Sequence, residues 1–298
     1  MTTSNQMVQQ KMPFSVAVNT PSMQKLIANA LHDPARCARF TASIVSAVSV
    51  NQALQNCDRN TVISGALLGE SLNLSPSPQL GQYYLVPFNN KKKGIQDAQF
   101  VLGYKGYVQL ALRSGQYKSI NVEIVKQGEY KGRDPMTGDP RFQFLEDDDE
   151  WERLPVIGYM ASFEYLNGFR KVLYWSKEKM MNHADRYSAA FSRKAYENLI
   201  AGNIPQGEMW KYSSFWYKDF DSMAKKTMLR QLISKWGIMS TEIQIAYEAD
   251  SRVIEETETG QLVPQVEEES PQQLEEPQAA AQIPAQPAEP KQIDLSSL

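Results

Sequence analysis

The sequence predicts an α+β fold in which a small antiparallel sheet packs against helices. Between residues 20 and 250, apolar residues recur every three or four positions near both ends, which is typical of helices. In the middle, apolar and polar residues alternate, which is typical of strands. With 298 residues, of which 42% are hydrophobic, the chain has enough apolar surface for a substantial core. We expect a flexible segment at 1–19, a folded core at 20–250 and a disordered acidic tail at 251–298.

Three helices are predicted in the first quarter of the chain. Thr20 and Asp33 are capping residues, and each precedes a proline, which is favoured at the first helical position. The helix after Asp33 carries one apolar stripe, formed by Cys37, Phe40, Ile44 and Val48. A third helix is expected from residue 60 or 61 to residue 72.

A β-hairpin is predicted next. Tyr83–Val86 and Gln99–Leu102 have strand character, and Asn89–Gly94 between them is a lysine-rich turn. A short helix should follow the return strand, because residues 104, 107, 108, 111 and 112 have helical spacing and Ser114–Gly115 ends the pattern.

Further strands and a long helix complete the predicted core. Ser119–Val125 alternates apolar and polar residues, and two more strands, at 155–166 and 169–175, flank Asn167–Gly168, a strong hairpin signal. The pattern then returns to helix, with the longest stretch at Lys218–Trp236.

Charge is divided unevenly along the chain. Residues 251–298 contain ten acidic and two basic residues, whereas the preceding 250 contain 24 acidic and 29 basic ones. Such asymmetry is common in proteins that bind a polyanion. The tail is rich in proline and glutamine and has no aromatic residue, so it should not fold. It either competes with nucleic acid for the basic body, docks a partner, or only aids solubility.

Several classes of protein are excluded by absent motifs. No phosphate-binding loop of the nucleotide-hydrolysing type, nucleophile elbow or zinc-peptidase motif is present, which argues against an ATP-driven motor and against an enzyme. Two cysteines and two histidines are too few for a disulfide framework or a metal site of those residues. No apolar run is long enough to span a membrane, and we expect a cytoplasmic protein.

The Glu146–Glu150 run is the one dense group of carboxylates. Consecutive residues on an extended chain point in alternate directions, whereas magnesium sites usually gather carboxylates from separate elements. We interpret the run as a solvated acidic loop, with a metal site as the alternative.

The segment from Tyr83 to Lys131 has the composition of a single-strand-binding surface. Eight basic residues are interleaved with aromatic residues and oppose three acidic ones. Basic side chains neutralise phosphates and aromatic rings stack on bases without reading sequence. The candidate DNA-binding residues of this segment are Lys91, Lys92, Lys93, Tyr104, Lys105, Tyr107, Arg113 and Lys118.

Two features of these candidates remain open. Tyr104 and Tyr107 lie on the apolar stripe of their helix and would pack in the core if that stripe faces inward. The helix start, with Gly103 and Gly106, would allow a phosphate to approach the free N–H groups. A second basic patch on the late helix adds the candidates Lys225, Lys226 and Arg230.

These stretches together resemble the RecT family of phage single-strand annealing proteins, over roughly residues 20–245. The resemblance is carried by Leu80–Phe88 (LGQYYLVPF), Gly103–Tyr107 (GYKGY), Leu112–Gly115 (LRSG), Ser222–Thr227 (SMAKKT) and Leu229–Arg230, with Asn51–Leu54 and Cys57–Asp58 upstream. The order of the three central motifs is specific.

The resemblance implies an activity and a set of partners. It implies ATP-independent binding and annealing of single-stranded DNA in phage recombination, inside the bacterial host, and a fold like that of lambda Red beta. The implied partners are the annealed duplex, further copies in a ring or helical filament, a phage exonuclease and host single-stranded DNA-binding protein. No cofactor is implied, although Mg²⁺ bound with the DNA stays open.

Two other functions compete with annealing. A passive protecting protein would bind single strands without speeding duplex formation. A metal-dependent nuclease would use the carboxylates of Glu146–Glu150.

Overall fold

The computed structural model describes residues 12–90, 93–188, 190–257 and 261–265. The helices of these residues are α1 (Phe14–Ala17), α2 (Pro21–Leu31), α3 (Pro34–Val50), α4 (Arg59–Ser71), α5 (Tyr104–Arg113), α6 (Asp148–Arg153), α7 (Lys177–Tyr187), α8 (Arg193–Ile200), α9 (Phe215–Lys218), α10 (Phe220–Trp236) and α11 (Thr241–Ala249). The strands are β1 (Tyr83–Asn90), β2 (Ile95–Leu102), β3 (Tyr117–Lys126), β4 (Tyr130–Arg133), β5 (Pro140–Phe142), β6 (Val156–Tyr165), β7 (Arg170–Ser176), β8 (Arg252–Glu256) and β9 (Leu262–Pro264). Short 3₁₀ helices occupy Gln52–Asn56 and Gln206–Tyr212.

The strands pair in antiparallel fashion, which confirms the predicted α+β class. One sheet has the order β1-β2-β8-β9, a second has the order β3-β6-β7, and β4 pairs with β5. Both predicted hairpins are confirmed: β1 pairs with β2, and β6 pairs with β7 across the turn that contains Gly168. Gly168 has φ +86°, a conformation that glycine adopts readily.

The predicted helix starts are confirmed, and their caps differ in detail. The Asp33 carboxylate accepts a hydrogen bond from the Ala35 N–H at 2.8 Å, as an N-cap should. Thr20 precedes α2 but its hydroxyl donates to the Ala17 carbonyl at 2.8 Å, so it ties α2 to α1 instead. Asp58 caps α4 by accepting from the Asn60 N–H at 2.7 Å.

One face of the β1–β2 hairpin packs on α4. Tyr83 and Leu85 point to this face, and a Cβ on Gly65 would lie 2.8 Å from the Leu85 side chain. Thr61 of α4 also accepts the Ala98 N–H of β2 at 2.9 Å. Because side chains alternate along a strand, Tyr84 points to the opposite face.

Helix α10 packs against α5 and against the β3-β6-β7 sheet. The Tyr159 hydroxyl of β6 donates to Asp221 near the start of α10, at 2.6 Å. The Tyr165 hydroxyl donates to the Trp236 carbonyl at the end of α10, at 2.8 Å. These bonds fix both ends of α10 to one strand.

The folded elements extend beyond the predicted core at both ends. Phe14 of α1 and the adjacent Val18 are buried, although 1–19 was expected to be flexible. Strand β8 pairs with β2, and its buried Val253 and Ile254 form an apolar pair inside a stretch of acidic composition. The rest of the predicted tail, 266–298, lies outside the described residues, as do residues 1–11.

The Glu146–Glu150 run contains the start of α6 rather than only a loop. Asp147 caps the helix by accepting a hydrogen bond from the Glu150 N–H at 3.0 Å. The acidic residues of the first turn lie at the positive end of the helix dipole, which stabilises their charge. Within the described ranges, no three histidine, cysteine or carboxylate side chains converge in a way that would hold a metal ion. In the same ranges, no helix is both long and apolar enough to cross a bilayer.

Candidate nucleic-acid interface

The tip of the β1–β2 hairpin carries predicted binding residues. Lys93 is exposed, and its ammonium group lies 2.7 Å from the Glu255 carboxylate of β8. This hydrogen bond raises the pKa of Lys93, so the side chain stays cationic. Lys91 and Lys92 lie outside the described residues. The structure thus places Lys93 of the tip next to the acidic Glu255 of β8.

The start of α5 is covered by the chain's own backbone. The Gly103 N–H donates to the Gln82 carbonyl at 2.8 Å, and a Cβ on Gly106 would lie 2.8 Å from the Leu102 side chain and 3.1 Å from the Gln82 carbonyl carbon. The two glycines therefore let the segment that enters β1 cross over the helix. Glycine is needed at both positions because the backbone of this segment lies close to them. We therefore do not retain the helix start as a phosphate-binding site.

Beside this crossing, three aromatic rings and two lysines form a group that we call the aromatic–basic cluster. Its members are Tyr84, Tyr104, Lys105, Phe215 and Lys225. The Tyr84 and Phe215 ring centroids are 5.2 Å apart, and the Lys225 ammonium lies 5.6 Å from the Tyr104 ring centroid. A Cβ on Gly81 would lie 3.1 Å from the Tyr84 hydroxyl and 3.5 Å from the Lys105 side chain, so both side chains lie beside Gly81. Besides burial and Asp219, Tyr104 contributes to the raised pKa of Tyr84, which places the two pairs near each other.

The members of the cluster are accessible. Lys105 is exposed, Phe215 is 39% exposed, and Tyr84, Tyr104 and Lys225 are half-buried. Partial burial, and then the carboxylate of Asp219, raises the pKa of both tyrosines above the ordinary value of 10.0. Both phenols are therefore neutral at physiological pH and add no negative charge against a phosphate. Rings held beside lysines can stack on bases while the lysines bind phosphates.

Three predicted binding residues belong instead to a buried charged group around Asp250. Asp250 accepts hydrogen bonds from the Lys226 ammonium at 2.7 Å, the Arg230 guanidinium at 2.6 Å and the Leu102 N–H at 2.9 Å. The Tyr107 hydroxyl donates to the same carboxylate at 3.4 Å. The side chains of Asp250, Lys226 and Arg230 are 0%, 9% and 24% exposed, and Tyr107 is fully buried.

These side chains are structural. Burial raises the pKa of Asp250, but the neighbouring Lys226 and Arg230 outweigh it and hold the pKa below the usual value. Burial lowers the pKa of Lys226, and the neighbouring Asp250 offsets part of this decrease. Tyr107 and Lys226 cannot reach DNA without opening the core, and we remove both from the interface. Arg230 is also engaged, because its guanidinium lies 4.3 Å from the Tyr247 ring centroid.

Arg113 and Lys118 lie apart from the start of α5. Arg113 is the last residue of α5, and its guanidinium donates to the Leu72 carbonyl at 2.8 Å and to the Asn73 carbonyl at 3.2 Å. These bonds satisfy backbone acceptors just after the end of α4. Lys118 forms a 2.6 Å ion pair with Glu164 and lowers the pKa of that carboxyl. Both remain exposed.

Sequence reasoning missed Tyr84 and Phe215. The alternation of the strand separates Tyr84 from the core-facing Tyr83, so the register of β1 was the signal for it. Phe215 stands in a run with Trp216 and Tyr217, and only the packing shows that Trp216 is the buried member.

Comparisons with known proteins identify the family of this chain. The model of the RecT family matches residues 38–271, which include the hairpin, the aromatic–basic cluster and Asp250. The chain is 40% identical to the uncharacterized protein YqaK of Bacillus subtilis (strain 168) over 228 residues, which cover 76% of this chain and 67% of the relative. It is 29% identical to the protein RecT of Escherichia coli (strain K12) over 243 residues, which cover 79% of each chain. This chain belongs to the RecT family, and is thereby assigned to DNA recombination and annealing.

Proposed function

We propose that the protein binds single-stranded DNA and anneals it to a complementary strand without ATP. The aromatic–basic cluster is the observation that carries this proposal, because it combines accessible rings with lysines in one place. Family membership supports the same conclusion from an independent direction.

The chemistry of the cluster suits strand binding without sequence readout. Lys105 and Lys225 would bind phosphates, while Tyr84 and Phe215 would stack on bases. With the phosphates neutralised, two strands approach each other at lower electrostatic cost. Base pairing supplies the specificity and the driving force, about 1.4 kcal/mol per base-pair step in DNA. No covalent step and no nucleotide fuel are required.

The hairpin tip would extend this surface. Lys93 lies beyond the far end of β1 from Tyr84. In the sequence, Lys91, Lys92 and Lys93 follow Tyr84 by seven to nine residues. A strand bound at both places would lie along the hairpin. Copies of the protein placed side by side in a ring or filament would continue the path, and a phage exonuclease would supply the single strand. Host single-stranded DNA-binding protein would be the protein that is displaced.

The decisive experiment measures annealing of two complementary, fluorescently labelled oligonucleotides in the absence of ATP. We expect the wild-type protein to accelerate annealing. The double variant Lys105→Ala/Lys225→Ala should weaken single-strand binding and reduce the slope of log K against log salt by about 1.4, since each phosphate contact on a single strand contributes about 0.7.

A matched control separates local from general charge effects. Lys25 and Arg39 are exposed on α2 and α3, so Lys25→Ala/Arg39→Ala removes the same charge elsewhere. This control should bind DNA more like wild type. If both double variants lose the same affinity, the cluster is not the binding site. If wild type binds single strands but leaves annealing rates unchanged, the protein is a passive protecting protein.

A further inference from the structure

A buried carboxylate lies next to the hairpin tip without a full set of partners. Asp97 of β2 is 0% exposed and stands opposite Phe88 of β1. One carboxylate oxygen accepts a hydrogen bond from the Asn90 side-chain amide at 2.8 Å. The other oxygen is buried and has no hydrogen-bond partner among the residues that the structure describes. A buried carboxylate is unfavourable in a sheet, so its presence calls for a role besides packing.

The hydrogen bond to Asp97 determines which way the Asn90 amide points. A carboxylate only accepts, so the Asn90 NH₂ group must face Asp97 and its carbonyl oxygen must face away. That oxygen accepts the backbone N–H of Lys93 at 3.1 Å. The Asn90 backbone carbonyl accepts the Gly94 N–H at 2.8 Å and closes the turn. Asp97 is thus connected through one side chain to the backbone of the turn that carries the lysines.

We propose that Asp97 and Asn90 are positioning residues that hold the backbone of Lys93 in the conformation in which its side chain meets a DNA phosphate. The inference rests on the proposed function, because it assigns these two residues to the same binding surface. Neither residue contacts the DNA in this scheme. Asp97 acts through Asn90, and Asn90 acts through the backbone of Lys93.

An exchange of the two side chains tests the proposal. In Asn90→Asp two carboxylates face each other, so the hydrogen bond is lost and the tip is released. In Asn90→Asp/Asp97→Asn the amide of residue 97 can donate to the carboxylate of residue 90, which still accepts the Lys93 N–H. The double variant should therefore recover what the single variant loses.

Two readouts are measured for each variant. The first is hydrogen exchange of the Lys93 amide, which should be several-fold faster in Asn90→Asp and slow again in the double variant. The second is the salt dependence of single-strand binding. Loss of the Lys93 contact lowers the slope by about 0.7, and the variant Lys93→Ala defines that limit.

Thr61→Ala is the control for damage to the sheet. It removes a buried acceptor of the adjacent Ala98 N–H on the same strand, and it leaves the Asn90 hydrogen bonds in place. It should lower thermal stability without changing the Lys93 exchange or the salt slope. A Thr61→Ala effect on the slope as large as that of Asn90→Asp would overturn the positioning role.

The remaining outcomes separate this inference from the proposed function. If wild type does not bind single strands, or if Lys93→Ala binds as wild type does, the tip contact in the proposed function fails. If wild type and Lys93→Ala differ but the double exchange stays as weak as Asn90→Asp, the positioning inference fails alone. Recovery of both readouts in the double exchange supports it.

Discussion

Removal of the Asp250 carboxylate should be among the most destabilising single changes in the fold. In Asp250→Ala, Lys226 and Arg230 lose their shared counter-ion while their side chains remain 9% and 24% exposed. The Leu102 N–H, which begins the connection into α5, loses its acceptor as well. The Tyr107 hydroxyl also donates to this carboxylate, so these four groups would be left without their partner.

The expected cost follows from the number and burial of these groups. Breaking a buried ion pair by removing one partner costs about 3–5 kcal/mol. An unpaired buried N–H adds about 1 kcal/mol or more. Part of the cost is recovered because Lys226, whose pKa burial already lowers, can release its proton, whereas Arg230 cannot. We therefore expect a loss of about 4 kcal/mol in the free energy of unfolding at neutral pH, by the ion-pair figure.

Urea denaturation measures this difference directly. Glu248→Ala serves as the control, because Glu248 is an exposed carboxylate two residues away on α11. The control should change the free energy of unfolding by less than about 0.5 kcal/mol. An Asp250→Ala protein within 1 kcal/mol of wild type would refute the role assigned to the buried charged group, by the ion-pair figure.

Four further predictions concern pH, the hairpin tip, Tyr104 and Tyr107. The pKa of Asp250 is lowered in the folded state, so its stabilising contribution is fully present above the unfolded pKa of about 3.9. The contribution is lost as the pH falls through the folded pKa. The difference in stability between wild type and Asp250→Ala should therefore shrink when unfolding is measured at decreasing pH. Glu255→Gln removes the ion pair of Lys93 and should raise single-strand affinity about two- to three-fold at low salt, as measured by fluorescence anisotropy. The control Glu248→Gln should raise the affinity less. Equal effects of the two variants would contradict a local contact between Lys93 and DNA. Tyr104→Ala should weaken strand binding by about 1–3 kcal/mol, a stacking contribution. Tyr107→Phe should leave binding unchanged and cost about 1 kcal/mol of stability in thermal unfolding, and a binding loss there would contradict its burial.

Local signals in the sequence were sufficient for most elements of the fold. The Asp33–Pro34 pair marked the start of α3, and Asn167–Gly168 marked the turn between β6 and β7, because capping and turn chemistry depend on neighbouring residues only. The hairpin between Tyr83 and Leu102 followed from strand patterns around one turn.

Contacts between distant segments were not predictable in the same way. Lys226 and Arg230 are four residues apart on the predicted late helix and therefore share one face. That face is buried against Asp250, 20 residues beyond Arg230, which supplies the counter-ion. Strand β8 was missed because Val253 and Ile254 are two apolar residues in an acidic segment, and their pairing with β2 spans more than 150 residues. The accessible rings Tyr84 and Phe215 come from β1 and α9, and no local pattern brings them together.

The last sheet strands have a consequence for biosynthesis. The outer edge of β2 receives its neighbour from residues 252–256, and the two buried cations of α10 receive their anion from residue 250. A nascent chain that has emerged only as far as α10 therefore displays an open strand edge and an uncompensated positive interior. Open edges invite pairing with other chains, so the unfinished polypeptide is most vulnerable to misassembly until residues 250–256 have left the ribosome.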